Sequence, residues 1–430
     1  MKPIRVLCLF LCVAALISPS LAVAQPADPS GTAKKALDLF LGGKFAELNQ
    51  MFAPSMKDKY TETDLSKLAA QVKTWGAVQN IGQPSANDMG LVSVVTIPVQ
   101  FATRNIDFAF PVNASGQIVQ LQMRPGQTPW QHPDYVKPAA FQTREVTVGT
   151  DEWKLPGTLT IPVDKRPCPA IVLVSDRGPG DRDGTVYATK IFRDLAEGLS
   201  SRGIAVLRYD PRISKYARKM GESAFTIDEE LVHDAVAAIA LLRTQPEIDG
   251  KRIYVAGLGV GGFIAPRIAA DDGHLAGMIM MSAPARPLED WYVETVESLG
   301  VTGQQLDARK LAAAKVKKLD PGDADSPPLF GLSAPYWLDL KGYDAAAEAK
   351  KLTIPTLVLQ GSRDFQVIPK EFDAWKTGLA GRRDAVFKDF PNLNHYFIAG
   401  EGKSTEQEYR KPGGHVATEV IDEIVRFVNP

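Results

Sequence analysis

From residue 141 onward, short apolar segments alternate regularly with helix-like segments, and this alternation limits the folds that the chain can adopt. The apolar segments, such as Ala170 to Val174 and Arg252 to Ala256, have the composition and length of buried strands. Segments with helical spacing of apolar residues separate them, for example Glu229 to Arg243. Strands that alternate with helices are joined by right-handed crossovers and build a mostly parallel sheet that is covered on both faces. Residues 141–430 are therefore predicted to form an α/β domain whose ligands bind at the carboxyl ends of the strands.

A different pattern precedes this domain and predicts a small α+β domain over residues 25–128. Helical spacing gives way to short β-branched or aromatic segments, which favour an antiparallel sheet beside helices. The expected elements are a helical region from Ala36 to Phe52, a helix from Asp64 to Trp75 capped by Thr61 or Thr63, and strands at Val92 to Phe101, Asn105 to Val112 and Ile118 to Arg124. Four prolines between Pro125 and Pro138 predict a linker at residues 129–140. We expect this domain to act as a shield or docking surface, including for self-association.

The first residues predict a secretory signal peptide at positions 1–24. Lys2 and Arg5 precede an apolar run from Val6 to Ile17, and Ala22-Val23-Ala24 form a small-residue cleavage motif. We therefore expect a secreted or periplasmic mature chain of 430 − 24 = 406 residues. An apolar run of this length is too short to span a bilayer, and no other stretch reaches ~18 apolar residues, so no membrane span is expected.

Composition excludes several classes of function. The chain has 49 basic and 50 acidic residues, so it lacks the cationic surface that nucleic-acid binding needs. His132, His233 and His274 show no spacing typical of metal ligands, and we expect no metal or other cofactor. After signal cleavage Cys168 would be alone, unable to form an internal disulfide, and it is expected to be a small buried residue.

One glycine-rich turn, Gly257-Leu258-Gly259-Val260-Gly261-Gly262, follows a predicted strand and precedes a predicted helix. It matches the dinucleotide fingerprint G-x-G-x-x-G, but the next strand ends in Met280-Met281-Ser282-Ala283 and offers no acidic residue for a ribose. It also matches the nucleophile elbow G-x-S-x-G, with Gly259 where the serine would stand. We favour the elbow.

An acid and a histidine follow later strands in the chain order that an elbow fold uses, nucleophile then acid then histidine. Asp364 follows the strand Thr356 to Leu359, and His395 follows the strand Ala385 to Phe390. Because the ends of parallel strands meet at one edge of a sheet, Asp364 is predicted to orient the imidazole of His395, and His395 is predicted to act as general base.

The chain resembles exported α/β-hydrolases of the esterase type that carry a small helix-plus-sheet domain in front. The resemblance covers nearly the whole mature chain. It rests on Gly180-Asp181-Arg182-Asp183-Gly184, Phe192-Arg193-Asp194-Leu195, Arg208-Tyr209-Asp210, Tyr336-Trp337-Leu338-Asp339-Leu340, Leu359-Gln360-Gly361 with Asp364, and Leu393-Asn394-His395. It implies an α/β-hydrolase fold and a carboxyl-ester hydrolase ancestry.

Two turns depart from the pattern of that family. The family motif G-H-S-x-G-G reads Gly257-Leu258-Gly259-Val260-Gly261-Gly262 here, and the oxyanion loop H-G-S-G-P reads Ser175-Asp176-Arg177-Gly178-Pro179. The resemblance therefore implies a vacant nucleophile position at Gly259, with oxyanion-hole donors in the backbone N–H groups of Val260 and of Asp176 or Arg177. The Asp176 carboxylate would oppose an oxyanion and Arg177 would favour one, unless the two side chains simply pair with each other.

Two functions stay open on the sequence. The first is a pseudo-hydrolase that binds a small ester-like or acyl-like ligand, or a partner, in a pocket under a cap at about residues 285–352. Five aromatic residues of that insertion suggest a roof over the pocket: Trp291, Tyr292, Phe330, Tyr336 and Trp337. The second is a working hydrolase that uses water activated by His395 or a displaced serine such as Ser175 or Ser282.

Overall fold

The computed structural model describes residues 28–90, 92–126, 130–149, 152–164, 166–187, 189–221, 225–409 and 414–429. Contacts within the chain divide it into two compact units, the first ending at residue 127 and the second beginning at residue 128. The predicted signal peptide, with Cys8 and Cys12, lies outside the described residues. None of the helices among the described residues is long and apolar enough to cross a membrane.

The first unit packs three helices against an antiparallel sheet. Its helices are α1 (Pro29–Leu41), α2 (Phe45–Gln50) and α3 (Glu62–Lys73), and its strands are β1 (Val78–Ile81), β2 (Ser85–Asp88), β3 (Val92–Phe101), β4 (Asn105–Asn113) and β5 (Gln122–Pro125). The sheet runs in the order β1-β3-β4-β5, and β2 also pairs with β3. Apolar side chains from α1 and the sheet form its core, where the rings of Phe40 and Phe108 lie 5.8 Å apart.

Most elements predicted for this unit are present, and the exceptions have physical causes. Thr61 caps α3 by accepting from the backbone N–H of Asp64 at 3.3 Å. The strands β1 and β2 were not predicted, because they are exposed along their length and their sequences do not alternate apolar with polar residues. The strand predicted from Ile118 begins only at Gln122, since Ile118 makes isolated bridges with Phe52 and Val112 instead.

The second unit is built around one large, mostly parallel sheet. Its strands are β6 (Phe141–Val148), β7 (Leu155–Pro162), β8 (Cys168–Val174), the two-residue strands β9 (Thr185–Val186) and β10 (Thr189–Lys190), β11 (Ala205–Tyr209), β12 (Ile248–Leu258), β13 (Gly277–Met281), β14 (Thr356–Gly361) and β15 (Ala385–Phe390). The sheet order is β15-β14-β13-β12-β8-β11-β7-β6. All neighbouring pairs from β11 to β15 are parallel, whereas β7 runs antiparallel to both of its neighbours.

Helices cover both faces of this sheet, and the predicted α/β fold is confirmed. They are α4 (Ile191–Ser200), α5 (Arg212–Gly221), α6 (His233–Arg243), α7 (Val260–Asp272), α8 (Leu288–Ser298), α9 (Gly303–Lys318), α10 (Ala334–Asp339), α11 (Ala345–Lys351), α12 (Pro369–Gly378), α13 (Glu406–Tyr409) and α14 (Thr418–Val428). Neighbouring residues of β8 pack on opposite faces, Val172 in the core beneath α6 and α7 and Leu173 in the core beneath α4 and α14. The sheet is therefore buried on both sides, as parallel sheets are.

Three segments of this unit differ from the sequence prediction. The helix predicted from Glu229 begins as a π-helical turn, Asp228–Val232, and becomes α-helical only at His233. The polar helix α5 was not predicted. Residues of the predicted linker pack on the second unit, because the indole N–H of Trp130 donates to the buried carboxylate of Asp194 at 2.8 Å.

Candidate active site

The turn at Gly259 has the geometry of an elbow between a strand and a helix. Gly259 lies between β12 and α7 with φ +56° and ψ −123°, a conformation that strains any residue with a side chain. A Cβ at Gly257 would lie 2.2 Å from the carbonyl carbon of Gly261, and one at Gly261 would lie 2.4 Å from the carbonyl oxygen of Ser175. The neighbouring glycines thus allow the close approach of three backbone segments, and the frame of the elbow is present.

The side chain of Asp176 fills the place that a nucleophile at position 259 would occupy. A Cβ built on Gly259 would lie 2.7 Å from Cγ of Asp176 and 2.8 Å from its Oδ2. Oδ1 of Asp176 accepts from the backbone N–H of Val260 at 2.9 Å and from its neighbour Arg177 at 2.8 Å. The two backbone donors expected of an oxyanion hole converge on one oxygen, and in this chain that oxygen belongs to Asp176.

The guanidinium of Arg177 contacts the cap rather than pairing with Asp176. Its Nη1 donates to the Tyr292 hydroxyl at 3.3 Å, and its carbon centre lies 5.8 Å from the ring centroid of Tyr336. Burial lowers the pKa of Arg177, but Tyr292, Tyr336 and Glu230 outweigh it, so the net shift is upward and the group stays charged. The side-chain pair between Asp176 and Arg177 that the sequence left open does not form among the described residues.

The acid and the histidine meet at the ends of β14 and β15. Nδ1 of His395 lies 2.7 Å from Oδ2 of Asp364, and both residues are buried. Oδ1 of Asp364 accepts from the backbone N–H groups of Gln366 and Val367 at 2.7 and 2.9 Å, which fixes the carboxylate. Because Nδ1 faces Asp364, the other ring nitrogen, Nε2, is the one left for a reacting molecule.

Charge on two carboxylates favours the protonated imidazole. Burial lowers the pKa of His395, whereas the charges of Asp364 and, more weakly, Asp176 raise it, and the net shift is upward from 6.5. Asp176 acts on Tyr292 as well: burial raises the pKa of that hydroxyl, Arg177 lowers it, and Asp176 raises it further. Asp176, His395 and Tyr292 therefore share one electrostatic environment.

Comparison with known proteins identifies the family. Over 417 residues the chain is 33% identical to the esterase EstD of Thermotoga maritima, covering 91% of this chain and 98% of that esterase. The chain belongs to the esterase family of α/β-hydrolases. This esterase-family chain is also 32% identical over 127 residues to the inactive dipeptidyl peptidase 10 of Mus musculus, a stretch that covers 28% of the chain and 16% of the peptidase.

Solved structures and family models add little to this assignment. The esterase Est1E from Butyrivibrio proteoclasticus is 17% identical to the esterase-family chain, with a TM-score of 0.45, covering 66% of this chain and 98% of Est1E. No protein-family model matches the chain.

Two serines, predicted above as possible displaced nucleophiles, lie close to the candidate active site of this esterase-family chain. Ser282 is fully buried after β13, and its hydroxyl donates to the backbone carbonyl of His395 at 3.0 Å. That proton is directed to a peptide oxygen and not to the imidazole. Ser175 directly follows β8 and is half-buried.

The cap of the esterase-family chain consists of α8 to α11 between β13 and β14. Tyr292 and Phe330 are half-buried and stack at 5.4 Å, beside Trp291. Trp337 and Tyr336 are instead buried, and the Tyr336 hydroxyl donates to Glu230 at 2.7 Å. Of the five aromatic residues proposed as a roof, these last two pack inside the molecule.

The position of Asp176 is the feature that sequence reasoning missed. The sequence did contain a signal, because residue 259 is a glycine and residue 176 is an aspartate in the two turns that differ from the motifs behind the resemblance. Only the structure shows that the Asp176 carboxylate lies where a side chain at position 259 would extend. Among the described residues no group of three or more His, Cys, Asp or Glu side chains is placed to hold a metal ion.

Proposed function

We propose that this esterase-family chain is a pseudo-hydrolase for carboxyl esters: it forms no acyl-enzyme at position 259 and keeps the centre as a site for a small ligand under the cap. One observation carries this proposal. Gly259 supplies no hydroxyl, and the space that a serine side chain would enter holds the Asp176 carboxylate. Loss of the nucleophile alone costs on the order of 10⁶ in turnover in a well-studied protease.

The occupied backbone donors support the same proposal. During ester hydrolysis a carbonyl oxygen becomes an oxyanion, and it needs N–H donors at hydrogen-bond distance. Here the N–H groups of Val260 and Arg177 already bind Oδ1 of Asp176. Hydrogen bonds to a charged group contribute ~1.5–3 kcal/mol each, and a neutral ester carbonyl would have to replace two of them beside a negative charge.

The same contacts limit the charge and shape of the ligands that the site can bind. A free carboxylate would face Asp176, so the ligand we propose is a small uncharged molecule with the size and shape of an ester or acyl group. Tyr292 and Phe330 offer it an aromatic wall, and Arg177 offers a positive charge from the loop after β8. An N-terminal domain that mediates self-association, and export of the mature chain, remain parts of this proposal.

A second candidate, a hydrolase that still works through His395, is favoured by the intact contact between His395 and Asp364. Such a contact holds one imidazole tautomer and readies Nε2 to take a proton from water.

Activity with p-nitrophenyl acetate and butyrate, together with labelling by a fluorophosphonate probe, tests the proposal on the mature protein. We expect no labelled serine and no ester turnover above that of the His395→Ala variant. The matched control is Gly259→Ser combined with Asp176→Gly, which restores a serine and empties its space, and this variant should be labelled. A labelled serine in the parent protein that disappears in His395→Ala would overturn the proposal.

A further inference from the structure

We propose that Asp176 is a displaced nucleophile, whose free carboxylate oxygen attacks a saturated carbon of an uncharged alkyl electrophile such as an alkyl halide or an epoxide. This activity goes beyond the proposed function, which concerns only acyl-enzyme chemistry at position 259. The Asp176 carboxylate is a second reactive group in the same centre. The inference rests on the placement of Asp176, on the two unlike environments of its oxygens, and on His395, whose imidazole feels the charge of Asp176.

The two oxygens of Asp176 have different environments. Oδ1 is held by the backbone N–H groups of Val260 and Arg177 at 2.9 and 2.8 Å. Oδ2 accepts no hydrogen bond from the described residues, and the side chain is only half-buried. One oxygen therefore fixes the plane of the carboxylate, and the other keeps its lone pairs for a reacting carbon.

Glycine at 259 and aspartate at 176 are two parts of one arrangement. Any side chain at 259 would place its Cβ 2.7 Å from Cγ of Asp176, closer than such contacts allow. Gly259 therefore makes the room that the carboxylate uses. The carboxylate in turn reaches the N-terminal turn of α7, whose N–H groups and dipole favour a negative group.

The geometry selects a saturated carbon over an acyl carbon. Attack on an acyl carbon would create an oxyanion on the substrate, yet the backbone donors suited to it already bind Oδ1 of Asp176. Attack on a saturated carbon creates no oxyanion on the carbon attacked, because the negative charge goes to the halide ion or, in an epoxide, to the oxygen of the opened ring. Arg177, charged and in contact with Tyr292, lies beside Asp176 in sequence and offers a counter-charge to that anion.

The first step forms one bond and breaks one bond. Oδ2 of Asp176 bonds to the saturated carbon while the bond from that carbon to the leaving group breaks. The leaving group takes the electron pair, as a halide ion or, in an epoxide, as an alkoxide that takes a proton from solvent, which balances the proton released to solvent in the second step. The product of this step is an alkyl ester on Asp176.

The second step regenerates the carboxylate. Nε2 of His395 takes a proton from water while the water oxygen attacks Cγ of Asp176. The resulting oxyanion on Oδ1 already lies between the N–H groups of Val260 and Arg177, so its donors are in place before the reaction. The bond between Cγ and Oδ2 then breaks, the alcohol leaves with the proton from His395, and the new carboxyl group releases a proton to solvent. Asp176 ends with one oxygen that came from water.

Isotope labelling of the full mature chain tests this sequence of steps. The probes are 1-bromobutane and styrene oxide in water enriched in oxygen-18, and the readouts are bromide or diol release and the mass of the peptide that contains Asp176. We expect oxygen-18 in Asp176, and we expect unlabelled enzyme oxygen in the alcohol formed in the first turnover.

Variants separate the two steps. His395→Gln should stop after the first step and accumulate one alkyl group on Asp176, while Asp176→Asn should form no adduct and release no bromide above the rate in buffer. Asp373→Asn removes an exposed carboxylate on α12 and should behave as the parent does. Absence of an adduct on Asp176 in His395→Gln with both probes would overturn the inference.

The outcome is independent of the test for serine chemistry. A fluorophosphonate-labelled serine would overturn the proposed function and leave the oxygen-18 result to decide on Asp176. If Asp176 gains neither oxygen-18 nor an alkyl group in a protein without esterase activity, the inference is overturned and the pseudo-hydrolase proposal stands. Asp176 would then only occupy the oxyanion hole.

Discussion

The two halves of the candidate centre differ in the groups that build them. On the side of β14 and β15, Asp364 and His395 keep the residue types and the 2.7 Å contact that acid–base chemistry requires. On the side of β8 and β12, position 259 carries no side chain, and the backbone there has the conformation of an elbow. This half is built from glycines and backbone N–H groups, which every residue type can supply, whereas the other half depends on one acid and one histidine.

The largest effect we expect comes from restoring the changed half. Gly259→Ser with Ser175→His, Asp176→Gly and Arg177→Ser should give short-chain esterase turnover that is lost again in His395→Ala. Each oxyanion donor contributes on the order of 10²–10³ in rate, so freeing both donors matters as much as adding the hydroxyl. The measurement is hydrolysis of p-nitrophenyl butyrate.

The control for this prediction is Gly259→Ser alone, whose Cβ would lie 2.7 Å from Cγ of Asp176. We expect this single variant to stay inactive and to be less stable than the parent. A folded quadruple variant without turnover or fluorophosphonate labelling would mean that Asp364 and His395 no longer form a working half.

The next largest effect concerns the half that holds Asp364 and His395. Removing one partner of a buried ion pair costs ~3–5 kcal/mol, so Asp364→Ala should lower the free energy of unfolding by about that amount at acidic pH, where His395 is charged. Urea denaturation measures it. Asp373→Asn, which removes an exposed carboxylate, is the control and should change the unfolding midpoint little. A small loss in Asp364→Ala would show that the contact contributes less than its burial suggests.

The pH dependence of stability should report the same contact. The pKa of His395 is raised in the folded chain, so its contribution to stability is complete below the unfolded value of about 6.5 and is lost as pH rises through the higher folded pKa. The free energy of unfolding should therefore fall across that window, and the fall should vanish in His395→Gln. The pKa itself can be followed by the NMR shift of the imidazole, and no change of that pKa in Asp364→Asn would contradict the assigned cause.

A smaller effect is expected at the elbow itself. Gly259→Ala adds a Cβ in a conformation with positive φ, which costs ~1–3 kcal/mol, and adds the contact with Asp176. In an Asp176→Gly background only the strain should remain, so the cost of the alanine should fall. Equal costs in both backgrounds, measured by urea denaturation, would mean that the carboxylate moves aside freely.

The smallest effect we expect links the changed half to the cap. Tyr292→Phe removes the hydroxyl that accepts from Arg177 at 3.3 Å, and a hydrogen bond of this kind contributes ~0.5–1.5 kcal/mol. Thermal unfolding measures the loss. The control is Phe330→Leu, which keeps an apolar side chain against Tyr292. It removes the ring stacking and leaves the hydrogen bond in place.

Much of the fold and part of the candidate site could be predicted from local sequence patterns. The alternation of strands and helices predicted the α/β unit, and the strand β15 has the predicted bounds, Ala385–Phe390. The positions of Asp364 and His395 after their strands predicted that they would meet, since parallel strands bring their ends to one edge. Exposed or polar elements such as β1 and α5 could not be predicted, because apolar residues do not recur in them at the spacing of a strand or a helix.

The amino-acid sequence alone shows that residue 259 has no nucleophilic side chain, and it predicts an acid and a histidine after the last two strands of the sheet. That Asp176 lies where a side chain at position 259 would extend is visible only in the folded chain, because its carboxylate accepts from the backbone N–H of Val260, 84 positions further along the chain. Periodicity and motif spacing describe neighbours in sequence and the faces of single elements. The direction of a side chain in a loop depends on the backbone groups that the fold brings next to it, and here the N–H group of Val260 at the elbow joins that of Arg177 in holding Oδ1 of Asp176.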